Sequence, residues 1–181
     1  MARFAAFLRG MNLGNRRISN ADLKAHVATL GFEQVALFRA SGNVIVETDG
    51  RASAADVAAR LEQGLEHALG YEVRTFARTA ERMRAIAAFE PFDARLLAAS
   101  NGKLQVTLLP AKPSAAAARK ALALATDADR LALDGAELYW LPSGGLLESA
   151  LDLKALDALL GVGTRRTKGT LDLIVAKYFV A

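Results

Sequence analysis

The sequence predicts an α+β chain made of two βαββαβ-type lobes with mainly antiparallel sheets, the second lobe less regular and ending in a C-terminal helix. Three observations predict it. Short β-rich runs and helical stripes follow one another as strand, helix, strand, strand, helix, strand over roughly the first 80 residues. Ser-x-x-Asp starts and glycine stops bound the helices. The same order then recurs, more loosely, after an irregular stretch at 89–102.

Residues 3–9 alternate as a first strand, and 10–18 form a loop containing Gly10 and Gly14. Ser19 and Asp22 stand at N-cap and N3 spacing, with Ile18 and Leu23 at the staple positions. Leu23, Val27 and Leu30 recur at helical spacing until Gly31 stops the helix. Two β-rich runs, 33–39 and 43–48, are joined through Ala40-Ser41-Gly42 as a hairpin. Ser53 and Asp56 start a longer helix with the stripe Val57, Leu61, Leu65 and Leu69, stopped by Gly70. Residues 71–78 alternate as a fourth strand, which completes the ferredoxin-like order. Thr79 caps a helix containing Met83 and Ile86, and the lobes are expected to divide as 1–79 and 80–181.

The second lobe reads less cleanly. Residues 89–102 are expected to be an irregular connection, and 103–109 a strand. Pro110 and Pro113 frame a turn into an Ala-rich helix at 114–125. Strands at 129–133 and 136–141 meet at Asp134-Gly135, the strongest short hairpin signal in the chain. A Leu-rich helix is expected from Ser149 to Leu160, ended by Gly161. An extended piece at 162–166 and a final helix at 169–179 close the chain.

Composition narrows the chemistry. The 181 residues include no cysteine, which excludes disulfides, thiolate nucleophiles and thiolate metal sites. No apolar run reaches the length of about 20 residues that spans a bilayer, and the opening apolar stretch is closed by Arg9 as a strand would be. No membrane partner and a cytoplasmic location are therefore expected. The formal charge is +4, and 16 of the 23 basic residues are Arg, a side chain suited to bidentate contacts with phosphate or carboxylate. His26 and His67 fall inside helices, where a solvated role is expected. No zinc-protease, nucleophile-elbow or Asp-rich metal motif occurs, so neither a cofactor nor a metal is expected. No catalytic constellation stands out, and the oligomeric state is not legible.

Three loops carry the chemistry that remains. Arg9-Gly10-Met11-Asn12-Leu13-Gly14-Asn15-Arg16-Arg17 lies between a strand and a helix start, where glycines let backbone N–H groups converge and three arginines flank the turn. It is neither a Walker A loop nor a dinucleotide fingerprint. It reads either as an anion cradle or as a plain β–α connection. Ser41-Gly42-Asn43 reads as a hairpin turn whose Ser and Asn can hydrogen-bond beside the first loop. Thr164-Arg165-Arg166-Thr167-Lys168-Gly169-Thr170 places cations and hydroxyls before the last helix, as an anion site or as an N-cap.

Strand alternation gives one further reading. Phe7 and Phe76 share a sheet face with Arg3, Arg9, Arg74 and Arg78. Aromatics interleaved with Arg on an open sheet stack nucleic-acid bases. The competing reading covers this face, with Arg stems lying along the rings. No RNP core occurs in 33–48.

These motifs carry a family resemblance. Arg9-Gly10-Met11-Asn12-Leu13-Gly14 resembles an R-G-I-N-V-G loop, Ala21 to Phe32 the helix that follows it, and Ser41-Gly42-Asn43-Val44 an S-G-N-V turn. Arg78-Thr79-Ala80-Glu81, Glu90-Pro91-Phe92, Leu138-Tyr139 and Thr164-x-Arg166 fit as well. Together they resemble the bacterial domain-of-unknown-function family 1697 over essentially the whole chain. The resemblance implies two ferredoxin-like lobes, no established activity, and motif residues Arg9, Asn12, Gly14, Ser41, Gly42, Asn43, Arg166 and Thr170. One departure stands out. The family's R-N-W followed by T-V is here Arg166-Thr167-Lys168-Gly169-Thr170-Leu171, and losing Asn and Trp weighs against ligand stacking or amide recognition there.

The leading expectation is a binding protein in which Arg9, Asn12, Gly14, Ser41, Asn43, Arg166 and Thr170 line an inter-lobe cleft for a phosphate- or carboxylate-bearing small molecule. The alternatives are single-stranded nucleic-acid binding on the Arg/Phe face, and an enzyme of unassigned type.

Overall fold

A computed structural model of the chain describes residues 1–11, 16–39 and 42–180. They fall into two compact units, Met1–Ala85 with Ile174–Ala181, and Ile86–Leu173. The unit bounds lie inside helices, at 85/86 and 173/174, where the sequence reading placed one boundary at 79/80.

The first unit contains β1 (Ala2–Leu8), α1 (Asn20–Ala28), β2 (Gln34–Leu37), β3 (Asn43–Thr48), α2 (Ala54–Leu69) and β4 (Thr75–Thr79). Its strands lie in the order β2-β3-β1-β4, with every neighbouring pair antiparallel. The start signals act as read. Ser19 Oγ accepts the Asp22 backbone N–H at 3.1 Å. At α2 the capping box is complete: Ser53 N–H donates to the Asp56 carboxylate at 2.8 Å, and Asp56 N–H donates to Ser53 Oγ at 3.2 Å. Those bonds, the Ser53 backbone N–H foremost, hold the Asp56 carboxyl below its ordinary 3.8. Gly70 ends α2 at φ 75, a left-handed conformation that a Cβ disfavours.

The core of this unit lies between the sheet and its helices. Val57, Leu61 and Leu65 of α2 and Leu23 and Val27 of α1 pack on Phe4, Ala6, Leu8, Val44 and Val46. Full burial of such a side chain stabilises by about 1.5–3 kcal/mol. The fourth strand is shorter than the alternation at 71–78 predicts. β1 ends at Leu8, opposite Thr75, so residues 71–74 have no continuous ladder to join.

The helix α3 (Ala80–Ala88) follows, with Thr79 Oγ1 accepting the Arg82 N–H at 3.1 Å. The second unit then holds α4 (Ala94–Ala99), β5 (Gln105–Leu108), α5 (Ala115–Leu122), β6 (Asp129–Asp134), β7 (Glu137–Pro142), a 3₁₀ turn (Leu146–Glu148), α6 (Leu153–Leu160), β8 (Thr164–Thr167) and the start of α7 (Lys168–Tyr178). Its sheet runs β6-β7-β5-β8, again antiparallel throughout. This repeats the strand order of the first unit. Leu138 and Trp140 pack against Ala121, Leu156 and Leu160.

Three elements differ from the sequence reading. The connection at 89–102 contains α4, capped by Asp93, whose carboxylate accepts the Leu96 N–H at 2.8 Å. Six residues are too few to show a helical period. The helix expected from Ser149 begins at Leu153, because Asp152 caps it and Ser149 is tied to Asp129 instead. The extended piece at 162–166 is a paired strand, with β8 lying beside β5. No described helix is long and apolar enough to cross a membrane.

Candidate functional site

One end of the first sheet collects arginines from three connections. Leu8 N–H donates to Gly42 O at 2.8 Å, which seats the β2–β3 turn against the end of β1. Gly42 stands at φ 65, and a Cβ on it would lie 3.1 Å from Leu8 Cβ, so the close approach needs glycine. Arg9 N–H donates to Arg74 O at 2.9 Å, placing the approach to β4 at the same end. Asn20 Nδ2 donates to Arg39 O at 3.2 Å, which draws in the start of α1. Tyr71 OH donates to Met11 O at 3.4 Å and brings the end of α2 to the opening loop.

Arg9, Arg16, Arg17, Arg39 and Arg74 are all exposed at this end. Three of them rest on rings: Arg16 at 4.4 Å from the Tyr71 centroid, Arg39 at 5.2 Å from Phe38 and Arg74 at 5.7 Å from Phe76. A ring beneath the guanidinium steadies it through its π face and leaves the in-plane N–H donors pointing outward. Among the described residues, no carboxylate pairs with Arg16, Arg17, Arg39 or Arg74, although Glu72 is exposed nearby in sequence. Arg39 also sits at φ 58, in the left-handed region. That conformation costs a non-glycine residue about 1–2 kcal/mol, which the surrounding turn sustains.

The residues expected from sequence are distributed as follows. Arg9 lies in the arginine end just described. Asn43 is 1% exposed; its Nδ2 donates to Phe38 O at 3.1 Å and its carbonyl accepts the Phe38 N–H at 2.9 Å. Its amide thus closes the hairpin. Asn12, Gly14 and Ser41 lie outside the described residues. Arg166 and Thr170 belong to the second unit. Arg166 sits on β8, where its Nη1 donates to Thr164 Oγ1 at 3.0 Å and to Arg165 O at 2.7 Å. Burial holds its guanidinium down to about 10, which leaves it cationic at neutral pH. Thr170 N–H donates to Thr167 Oγ1 at 3.2 Å, so this segment supplies the cap of α7.

On the Arg/Phe face expected to stack bases, the rings are buried while Arg3, Arg9 and Arg74 are exposed. Phe7 is 0% and Phe76 4% exposed, which leaves no ring face for a base. No group of three or more His, Asp or Glu that could hold a metal ion occurs among the described residues.

Sequence reasoning put Arg74 on a sheet face with Arg9, and did not place Arg39 or Arg74 beside Arg16 and Arg17. Their signal was present: a hairpin returning to the first strand carries its turn to that strand's end, and a fourth strand antiparallel to the first begins there. It also passed over Asp129, Trp140 and Ser149, which the second unit brings together from residues 11 and 20 positions apart.

Fold and site together define an α+β protein of two ferredoxin-like units with an exposed arginine end on the first. The chain belongs to the family described as "Protein of unknown function (DUF1697)", whose model matches residues 1–139. Arg166 and Thr170 lie beyond that match. No curated protein matches the chain. Among solved structures, a conserved bacterial protein of Streptococcus pneumoniae is similar, with a TM-score of 0.72 at 17% identity, covering 96% of each chain. That likeness is one of fold.

Proposed function

We propose that the first unit binds a small molecule bearing phosphate or carboxylate groups at the arginine end of its sheet, through Arg9, Arg16, Arg17, Arg39 and Arg74. The observation that carries this reading is the set of exposed guanidiniums resting on Tyr71, Phe38 and Phe76. A planar fork held by a ring offers paired N–H donors that match the oxygens of a phosphate or carboxylate. Like charges gathered at one sheet end repel each other, and an anion relieves that repulsion.

Isothermal titration with pyrophosphate and with citrate tests it. Saturable binding is expected, weakening as salt rises. Arg16→Gln with Arg74→Gln should weaken it about a hundredfold or more, since each charge-assisted bond contributes roughly 1.5–3 kcal/mol and about 1.4 kcal/mol is a factor of ten. Both side chains are exposed, so the fold should tolerate the change. Absence of saturable heat for either anion, or identical affinity in the double variant, would sink the reading.

A further inference from the structure

The second sheet ends in an edge strand with open backbone positions. β6 pairs with β7 on one side, and no described strand lies on its other side. It runs six residues, against four for the edge strands β2 and β8 and five for β4. The β6–β7 hairpin closes at Asp134 and Glu137 around Gly135-Ala136. In such a hairpin the closing pair exchanges its N–H and C=O groups, and bonded pairs recur at every second position. Asp134, Ala132 and Arg130 therefore bond to β7, while Leu131 and Leu133 aim their N–H and C=O groups away from it. Pro142, opposite Asp129, has no N–H to give, as the alternation requires.

No described residue bonds to the outward groups of Leu131 or Leu133. Those of Asp129 are already used: its N–H donates to Thr126 Oγ1 at 3.0 Å, and its C=O accepts the Thr126 N–H at 2.9 Å. The stretch open to pairing is thus centred on Ala132. Edge strands are ordinarily blunted by proline, lysine or a bulge. β6 reads Asp-Arg-Leu-Ala-Leu-Asp, and its register with β7 is unbroken. Leu131 and Leu133 are half-buried, and α5, which packs along β6, leaves Leu122 37% exposed.

We propose that β6 is a self-association edge: two copies of the chain pair through it, antiparallel about Ala132, and join their second sheets into one. The strand is complementary to itself in this register. Leu131 exchanges N–H and C=O groups with Leu133 of the partner subunit, and the twofold axis repeats the exchange. Arg130 lies opposite Asp134 of the partner subunit, also twice, so opposite charges meet across the junction. Leucine meets leucine on the other face. Arg130 also meets Asp127 at 3.3 Å, a surface pair that holds it weakly. The neighbouring registers fail. Centring on Leu131 needs the outward groups of Asp129, which Thr126 occupies. Centring on Leu133 runs the partner strand into the turn at Gly135.

Sedimentation velocity of the full chain, from micromolar to millimolar concentration, should show a monomer–dimer equilibrium. Arg130→Asp and Asp134→Arg each set like charges opposite one another and should each weaken association about tenfold. Mixing the two single variants restores both opposite-charge pairings in a heterodimer and should recover the association of the unaltered chain. The chain contains no cysteine, so one introduced thiol reports the register. Ala132 is the one β6 residue that faces its own copy, as a non-hydrogen-bonded pair whose Cα separation of about 4.5 Å suits a disulfide. Ala132→Cys should therefore form a disulfide-linked dimer under mild oxidation well ahead of Ala98→Cys, at an exposed position on α4. Should either charge variant fail to fold, as judged by far-UV circular dichroism, the cross-linking of Ala132→Cys decides. A chain that stays monomeric throughout overturns the proposal. So does a dimer indifferent to both folded charge variants, or cross-linking of Ala132→Cys no faster than that of Ala98→Cys.

Discussion

In the first unit the two helices laid on the sheet run for nine and 16 residues, and in the second they run for eight each. The long α2 supplies Val57, Leu61 and Leu65 as a stripe, and no single side chain dominates that core. The short α5 and α6 supply less, and the space above the second sheet is filled by Trp140, 1% exposed and anchored through its indole N–H to Asp129. One strand order thus tolerates two ways of filling a core: many aliphatic residues of similar size, or one large ring with a polar tether. The second way concentrates stability in one residue and leaves a carboxylate at the edge of a cavity. The charged features also differ in place. The arginine end lies where β1 finishes and β3 begins, whereas Asp129 and Pro142 sit where β6 begins and β7 finishes. In equivalent strands these are opposite sheet ends, and the connections rather than the sheet decide which chemistry each end carries.

The largest expected effect sharpens that contrast directly. Trp140→Ala should cost about 3–5 kcal/mol and Leu61→Ala, with Val57 and Leu65 beside it, should sit at the lower end of the roughly 2–5 kcal/mol range for such changes. Urea unfolding followed by far-UV circular dichroism measures both. If Trp140→Ala proves no more costly than Leu61→Ala, the contrast between a concentrated and a distributed core fails.

A pair of glycines gives a smaller effect of the same kind. A Cβ at Gly163 would run into the Leu108 carbonyl of β5, a backbone atom that cannot yield, so Gly163→Ala should cost about 1–3 kcal/mol. At Gly64 the obstacle is the end of the Leu30 side chain, which can turn aside. Alanine there also gains helix propensity of about 0.8–1 kcal/mol, so Gly64→Ala should be the milder of the two in thermal denaturation. Equal losses would show that helix spacing in the first unit is as rigid as strand spacing in the second.

The smallest effect is a pH dependence confined to the first unit. The folded Asp56 carboxyl lies below its ordinary 3.8, so the stability it contributes is present above that value and is lost as pH falls through the lowered one. Ser53→Ala removes the hydroxyl part of the box while the backbone donor stays, and should shallow the acid limb of a stability–pH curve. An unchanged acid limb would mean that the box contributes no measurable linkage.

Much of the first unit was legible in its sequence. Ser53, Asp56 and Gly70 mark the ends of α2, and Val57, Leu61 and Leu65 mark its inward face, because capping and amphipathic spacing are local properties. The second unit was legible in its hairpin, where Gly135 takes φ 58 between β6 and β7, and less so where local signals conflict. Ser149 is as good a cap as Asp152 by composition alone. Its hydroxyl is claimed by Asp129, 20 residues away, and the helix starts later. At the candidate site the opening loop's arginines were visible, and strand alternation put Arg74 on a face with Arg9, but Arg39 was not placed with them, since proximity across a sheet depends on register.

By itself the sequence determined the element order, the caps and stops, and which side of each long helix is apolar, because each depends on residues within a turn or two of one another. The tertiary structure alone decided that five arginines from three connections share one sheet end, that Phe7 and Phe76 are covered, and that Asp129 meets Trp140 beside a cavity. Those outcomes follow from strand pairing and burial, which bring together side chains that no local spacing rule relates.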